Sequence, residues 1–76
     1  MIKGEHLKIA RLIYGYPTQE SLANHIGSNV ATIQRHEAME ELSYKVVALY
    51  EHRAHFDLST IAQFVNRYRI RQVLNG

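Results

Sequence analysis

The chain has no cysteine, no tryptophan, one proline (Pro17) and four glycines in 76 residues. Without cysteine it can form neither a disulfide nor a thiolate metal staple, two common ways of holding so small a domain together. No apolar run approaches the ~20 residues needed to span a bilayer. Met1-Ile2-Lys3-Gly4-Glu5 is not followed by the long apolar core of a signal peptide, so an unprocessed cytoplasmic chain is the expectation. Charge of one sign is scarce too: nine basic against seven acidic side chains leave +2, with a pI near 9.2. That is a weak lean towards an acidic partner. Hydrophobic residues at 46% and charged residues at 21% describe a globular chain, neither disordered nor membrane-spanning. A chain this short buries only about 60% of its unfolded surface, so oligomerisation is the remaining common remedy.

What is present reads as helix. Turn residues are few, alternating apolar runs are absent, and no repeat or low-complexity tract occurs. Ile9, Leu12, Ile13 and Tyr16 fall at i, i+3, i+4, i+7 and predict the inward face of a first helix, stopped by Gly15 and Pro17. Thr18 is a good N-cap for a second helix, with Gln19 and Glu20 in its first turn and Leu22, Ala23 and Ile26 as its apolar stripe. Gly27 suits its left-handed end. Ser28 or Asn29 caps a third helix carrying Val30 and Ile33. A fourth is predicted from Ser43 to about Arg53, with Val46, Val47 and Tyr50 inward. Asp57 or Ser59 caps a fifth, whose face is Ile61, Phe64, Val65 and Tyr68. The expected fold is an all-α bundle of about five short helices.

The strongest pattern is Thr18-Gln19-Glu20-Ser21-Leu22-Ala23-Asn24-His25-Ile26-Gly27, followed by Ser28-Asn29-Val30-Ala31-Thr32-Ile33-Gln34-Arg35-His36-Glu37. Two short helices meet at a glycine turn, with a small Ala23 where they must cross. This is helix-turn-helix geometry, whose second helix can enter a DNA major groove. With Ile33 inward, a step of about 100° per residue puts Val30 and Glu37 on its side, Ala31 and Arg35 opposite, and Thr32 and Gln34 flanking. The outward face is small, polar and cationic. Arg can bridge guanine O6/N7, Gln can bridge adenine N6/N7, and methyl groups can touch thymine. Gln19 and the free N–H groups of the second helix suit a phosphate.

These residues resemble the Cro/repressor (lambda-repressor-like) helix-turn-helix family of phage and bacterial regulators. The family pattern is Thr/Ser-Gln-x-x-Leu-Ala-x-x-Leu/Ile-Gly-apolar-Ser-x-x-Thr-Ile-x-x-Trp-Glu. Thr18, Gln19, Leu22, Ala23, Ile26, Gly27, Thr32, Ile33 and Glu37 match it in register. The close match covers about 20 residues, and the five-helix arrangement extends it more loosely. The resemblance implies that Asn29, Val30, Ala31 and Arg35 lie in the groove and Gln19 on the backbone. The chain departs from the pattern at Ser28, Asn29 and His36, and Pro17 lengthens the loop before Thr18. A winged-helix reading of Pro17 to Ala23 needs a strand-turn-strand wing, yet no Gly, Pro or Asn occurs between Ala38 and Asn66.

Residues 1–66 are read as the DNA-binding part and residues 67–76 as a self-association segment of the same domain. Asn66 to Arg71 holds three of the nine basic residues and no acid. As a helix, Ile70, Val73 and Leu74 form an apolar face turned away from that of Ile61 and Phe64. As a strand, Tyr68 and Ile70 point one way and the arginines the other. Either form leaves Tyr68, Ile70, Val73 and Leu74 for a dimer interface.

Competing chemistries are weaker. His52 and His55 are three apart and His6, His25 and His36 are scattered, with no Cys and no His-Glu-x-x-His motif. His36 is expected to pack at the end of the third helix. Glu40-Glu41 do not share a helix face. There is no phosphate loop or nucleophile elbow, so no metal, cofactor or catalytic residue is expected. The five tyrosines are read as core and interface residues. The expected function is a sequence-specific double-stranded DNA-binding regulator, homodimeric on a palindromic operator, in a bacterial or phage-infected cell. Other readings are a protein-interaction module, such as an antitoxin or anti-repressor, and a small tetrameric activator of the same fold.

Overall fold

The computed structural model describes the backbone of residues 1–75 and the side chains of residues 1–68. Five helices and no strand occur among them: α1 (Gly4–Ile13), α2 (Gln19–Ile26), α3 (Val30–Glu37), α4 (Tyr44–Ala54) and α5 (Leu58–Asn75). The all-α bundle is as expected. Of the two forms weighed for the C-terminal segment, the chain takes the helix, since α5 runs unbroken through residues 66 and 67. The side chains of Ile70, Val73 and Leu74 lie outside the described residues.

Local chemistry sets most helix ends. Thr18 Oγ1 accepts from the Ser21 amide at 3.0 Å, while the Ser21 hydroxyl donates back to the Thr18 carbonyl at 2.7 Å. Asn29, not Ser28, caps α3: its Oδ1 accepts from the Thr32 amide at 2.9 Å. Ser43 caps α4 and Asp57, not Ser59, caps α5 through the Thr60 amide at 3.2 Å. Each such cap contributes about 1 kcal/mol. Gly27 ends α2 at φ 73°, in the left-handed region where a side chain is disfavoured. His55 ends α4 in the same region at φ 57° without glycine's freedom.

The core is Leu7, Ala10, Leu22, Ala23, Ile26, Ile33, Leu42, Tyr50, Ala54, Phe56 and Leu58. Val46 and Val47 pack against it half-buried, as their spacing predicts.

Two predicted faces are corrected. On α1 the buried residues are His6, Leu7, Ala10 and Arg11, whereas Leu12 and Ile13 are exposed, Ile9 is half-buried, and Tyr16 lies beyond the helix. On α5 the inward stripe is Leu58, Ala62 and Val65, while Phe64 and Tyr68 are exposed. The cause on α1 is its fit against α3. Gly4 sits so close to the end of α3 that a Cβ there would run into the His36 and Glu37 carbonyl oxygens. Its amide donates to the Met39 carbonyl at 2.9 Å. Seven residues on, Arg11 turns the same face towards Glu37, with Nε donating to Oε2 at 2.7 Å. That register leaves Ile9 and Ile13 beside the core.

Candidate nucleic-acid interface

α2 and α3 are consecutive, packed on each other, and joined by the three residues Gly27 to Asn29. Leu22, Ala23, Ile26 and Ile33 are all buried between them and the rest of the core. With Ile33 inward, Ala31, Gln34 and Arg35 are exposed and Thr32 is half-buried, in the arrangement the helical period predicts. Asn29 is exposed, with its Oδ1 engaged in the cap. Val30 is half-buried and packs against the core.

Gln19, at the start of α2, reaches the end of α3. Its Nε2 donates to Glu37 Oε1 at 3.1 Å. The other oxygen of that carboxylate takes Arg11, whose Nη1 also donates to the Tyr16 carbonyl at 2.9 Å. One carboxylate therefore ties α1, the start of α2 and the end of α3 together. Both side chains of the ion pair are deeply buried, at 6% and 5% exposure. Replacing one partner of such a pair strands the other charge. The consequence for the surface is electrostatic: the one acid of α3 is folded inward and paired, so α3 itself presents no carboxylate on the side of Ala31, Gln34 and Arg35.

Behind Arg35, His36 packs inward, as expected. Its Nδ1 shares a 2.7 Å hydrogen bond with the Tyr50 hydroxyl, and the rings meet edge to face at 5.6 Å. Burial, with the adjacent Arg35 charge, holds the imidazole below its usual pKa. Burial, reinforced by Glu37 and opposed by Arg35, pushes the Tyr50 phenol up to about 12. Both groups are neutral around pH 7, and together they bolt α4 to the back of α3. Arg53 adds a second tie from α4, donating to the Ile26 carbonyl at 3.1 Å at the end of α2.

Sequence reasoning missed Arg11, Glu37 as its partner, and Gly4. Helical periodicity sees an arginine on a face and assigns it to solvent; only a residue 26 positions away gives it a reason to be inside. The available signal is the small and apolar run Gly4, Leu7, Ala10 that shares the stripe with Arg11. Among the described residues no three His, Asp or Glu side chains gather where a metal ion could sit. Nor is any helix there long and apolar enough to cross a membrane. The chain matches no protein-family model, no curated protein and no solved structure.

Proposed function

We propose that this chain is a sequence-specific double-stranded DNA-binding transcriptional regulator of Cro/repressor helix-turn-helix type, with α3 as the reading helix. One observation carries the reading: Ala31, Gln34 and Arg35 share an exposed, acid-free face while Glu37 is turned inward onto Arg11 and Gln19. A phosphate-lined groove repels carboxylates, and Arg and Gln are the side chains that make bidentate contacts to guanine and adenine. Asn29 and Thr32 flank that face. Gln19 acts through Glu37: the amide is fixed at the start of α2, where helix N–H groups suit a phosphate.

A reading head of eight residues touches few base pairs. Two heads in a homodimer read two half-sites about 34 Å apart, which makes a palindromic operator the natural target. The cytoplasm of a bacterial or phage-infected cell is the corresponding setting.

Selection of bound duplexes from a random pool tests the reading. An enriched, two-fold symmetric site is the expected result, with log affinity falling linearly against log salt in proportion to the phosphates contacted. No enrichment and no salt-dependent binding to any duplex would overturn it in favour of a protein-interaction module such as an antitoxin or anti-repressor.

A further inference from the structure

Three ties hold α3. Ile33 packs into the core beside α2, and Glu37 is paired with Arg11 of α1. The third is His36, whose Nδ1 shares a hydrogen bond with the Tyr50 hydroxyl of α4. Of these groups, histidine is the one whose ordinary pKa, about 6.5, lies where small changes of pH alter charge.

The seated imidazole is poorly placed to take a proton. It is 6% exposed. Both oxygens of the adjacent Glu37 carboxylate are already engaged, one by Arg11 and one by Gln19. Burial, with the like charge of Arg35 on its other side in the chain, holds it below its usual pKa. The remaining groups give no relief. α1 presents Arg11 and the buried His6, whose Nδ1 accepts from the Lys3 amide at 2.8 Å. On α4, Lys45, Glu51, His52 and Arg53 are exposed, as are Glu20 and His25 on α2 and Glu40 and Glu41 beyond α3. Nor does α3 have room to shift towards α1, because Gly4 is already pressed against the His36 and Glu37 carbonyls.

An opened imidazole is in the reverse position. His36 lies in the last turn of α3, and the end of a helix favours a cation that water can reach. The packed state refuses the proton and the opened state welcomes it, which is what a two-state switch requires. The way out lies between α3 and α4. α3 packs closely on α1 and α2, whereas Tyr50 is the long arm by which α4 reaches it.

We infer that the His36–Tyr50 contact is an acid-operated release for the reading helix: a proton on His36 parts the last turn of α3 from α4 and carries Arg35 out of register with its base. What is lost is selectivity, since Arg35 is the neighbouring residue on that turn. Affinity for any duplex is not lost. His25, His52 and His55 are exposed, and charge gained there strengthens attraction to phosphates. A regulator with surface histidines alone binds DNA more tightly in acid; here specific binding weakens while binding to random sequence holds or rises. The meaning for DNA rests on the proposed function; the opening itself does not.

Fluorescence anisotropy at fixed salt tests it with two labelled duplexes, one enriched from a random pool and one of random sequence and equal length. Wild type and His36→Gln are titrated from pH 7.5 to pH 5.0, with far-UV circular dichroism at each step. In the wild type the ratio of specific to random affinity is expected to fall about tenfold, the worth of one base contact, with helix content unchanged. In His36→Gln the ratio is expected to stay level. A level wild type, or an equal fall in His36→Gln, overturns the proposal; the second result assigns the response to another group such as His6. Helix lost in step with selectivity also overturns it, since the domain then unfolds whole. Should His36→Gln not fold, Tyr50→Phe takes its place: the midpoint of the fall is expected to move, and an unmoved midpoint overturns the proposal. If no duplex is enriched or bound at pH 7.5 the proposed function fails, and nuclear magnetic resonance of the free protein decides the rest. A ring-to-ring Overhauser contact between His36 and Tyr50 that is present at pH 7.5 and lost at pH 5.0 keeps the opening; one that persists ends both.

Discussion

The α2–α3 half and the α1–α5 half of the molecule treat their side chains in opposite ways. Around α2 and α3 the aliphatic residues Leu22, Ala23, Ile26 and Ile33 are inside, the polar ones other than His36 and Glu37 lie towards solvent, and both helices begin at residues that cap them. Along α1 and α5 a histidine and an arginine are inside while Ile13, Phe64 and Tyr68 are outside. The first half is organised by short-range chemistry, in which each cap and turn acts within three or four residues. The second is organised by partners far along the chain, with Arg11 answering Glu37 and Gly4 yielding to the end of α3. A helix face is therefore decided by whichever is stronger, its own apolar period or a specific distant contact.

The sharpest way to break this contrast is Arg11→Met. Stranding the buried Glu37 carboxylate is expected to cost about 3–5 kcal/mol, read by denaturant unfolding. Adding Glu37→Leu removes the stranded charge and is expected to recover most of the loss. If the double variant is no more stable than the single one, packing and not charge sets the register of α1.

The next effect falls on the other half. Arg35→Ala is expected to cost about 1–3 kcal/mol of DNA affinity and relax preference at one base pair, whereas Gln19→Ala weakens all sites more evenly. Quantitative titration across a panel of single-base operator variants distinguishes the two patterns.

A pH series probes the bolt between α3 and α4. His36 binds its proton less readily folded than unfolded, so the unfolded chain takes up more protons as pH falls through about 6.5. Stability is expected to decline from pH 7 towards pH 5. Thermal melts of His36→Gln should show a shallower decline over the same window. Tyr50 acts at the other extreme: its raised pKa means that stability falls as pH climbs above about 10.

The smallest expected effect is a gain. His55→Gly relieves a left-handed backbone at a helix end and is expected to add up to about 1 kcal/mol, visible as a small rise in Tm.

The same contrast explains what could be read from the residues alone. Thr18, Gly27 and Asp57 announce helix ends because a cap or a left-handed turn needs only its neighbours. The outward set Ala31, Gln34 and Arg35 follows from Ile33 and the helical period. The contacts of Gln19 with Glu37 and of Val30 with the core join residues that only folding brings together. The faces of α1 and α5 were not legible, because in sequence Leu12 and Ile13 look as buriable as Leu7 and Ala10. What separates them is Gly4 and Arg11 meeting α3, a contact that no local period encodes.

The backbone ties at the start of the chain carry a consequence for motion. The Gly4 amide donates to the Met39 carbonyl at 2.9 Å and the Leu42 amide to the Ile2 carbonyl at 2.8 Å. A chain terminus ordinarily frays, and its amides exchange with solvent by local opening. Here the first residues are laced to the segment between α3 and α4, so the beginning of the chain cannot lift away without releasing its middle. The amides of Gly4 and Leu42 are thus expected to exchange together, since one local opening would release both, and hydrogen exchange reads this directly.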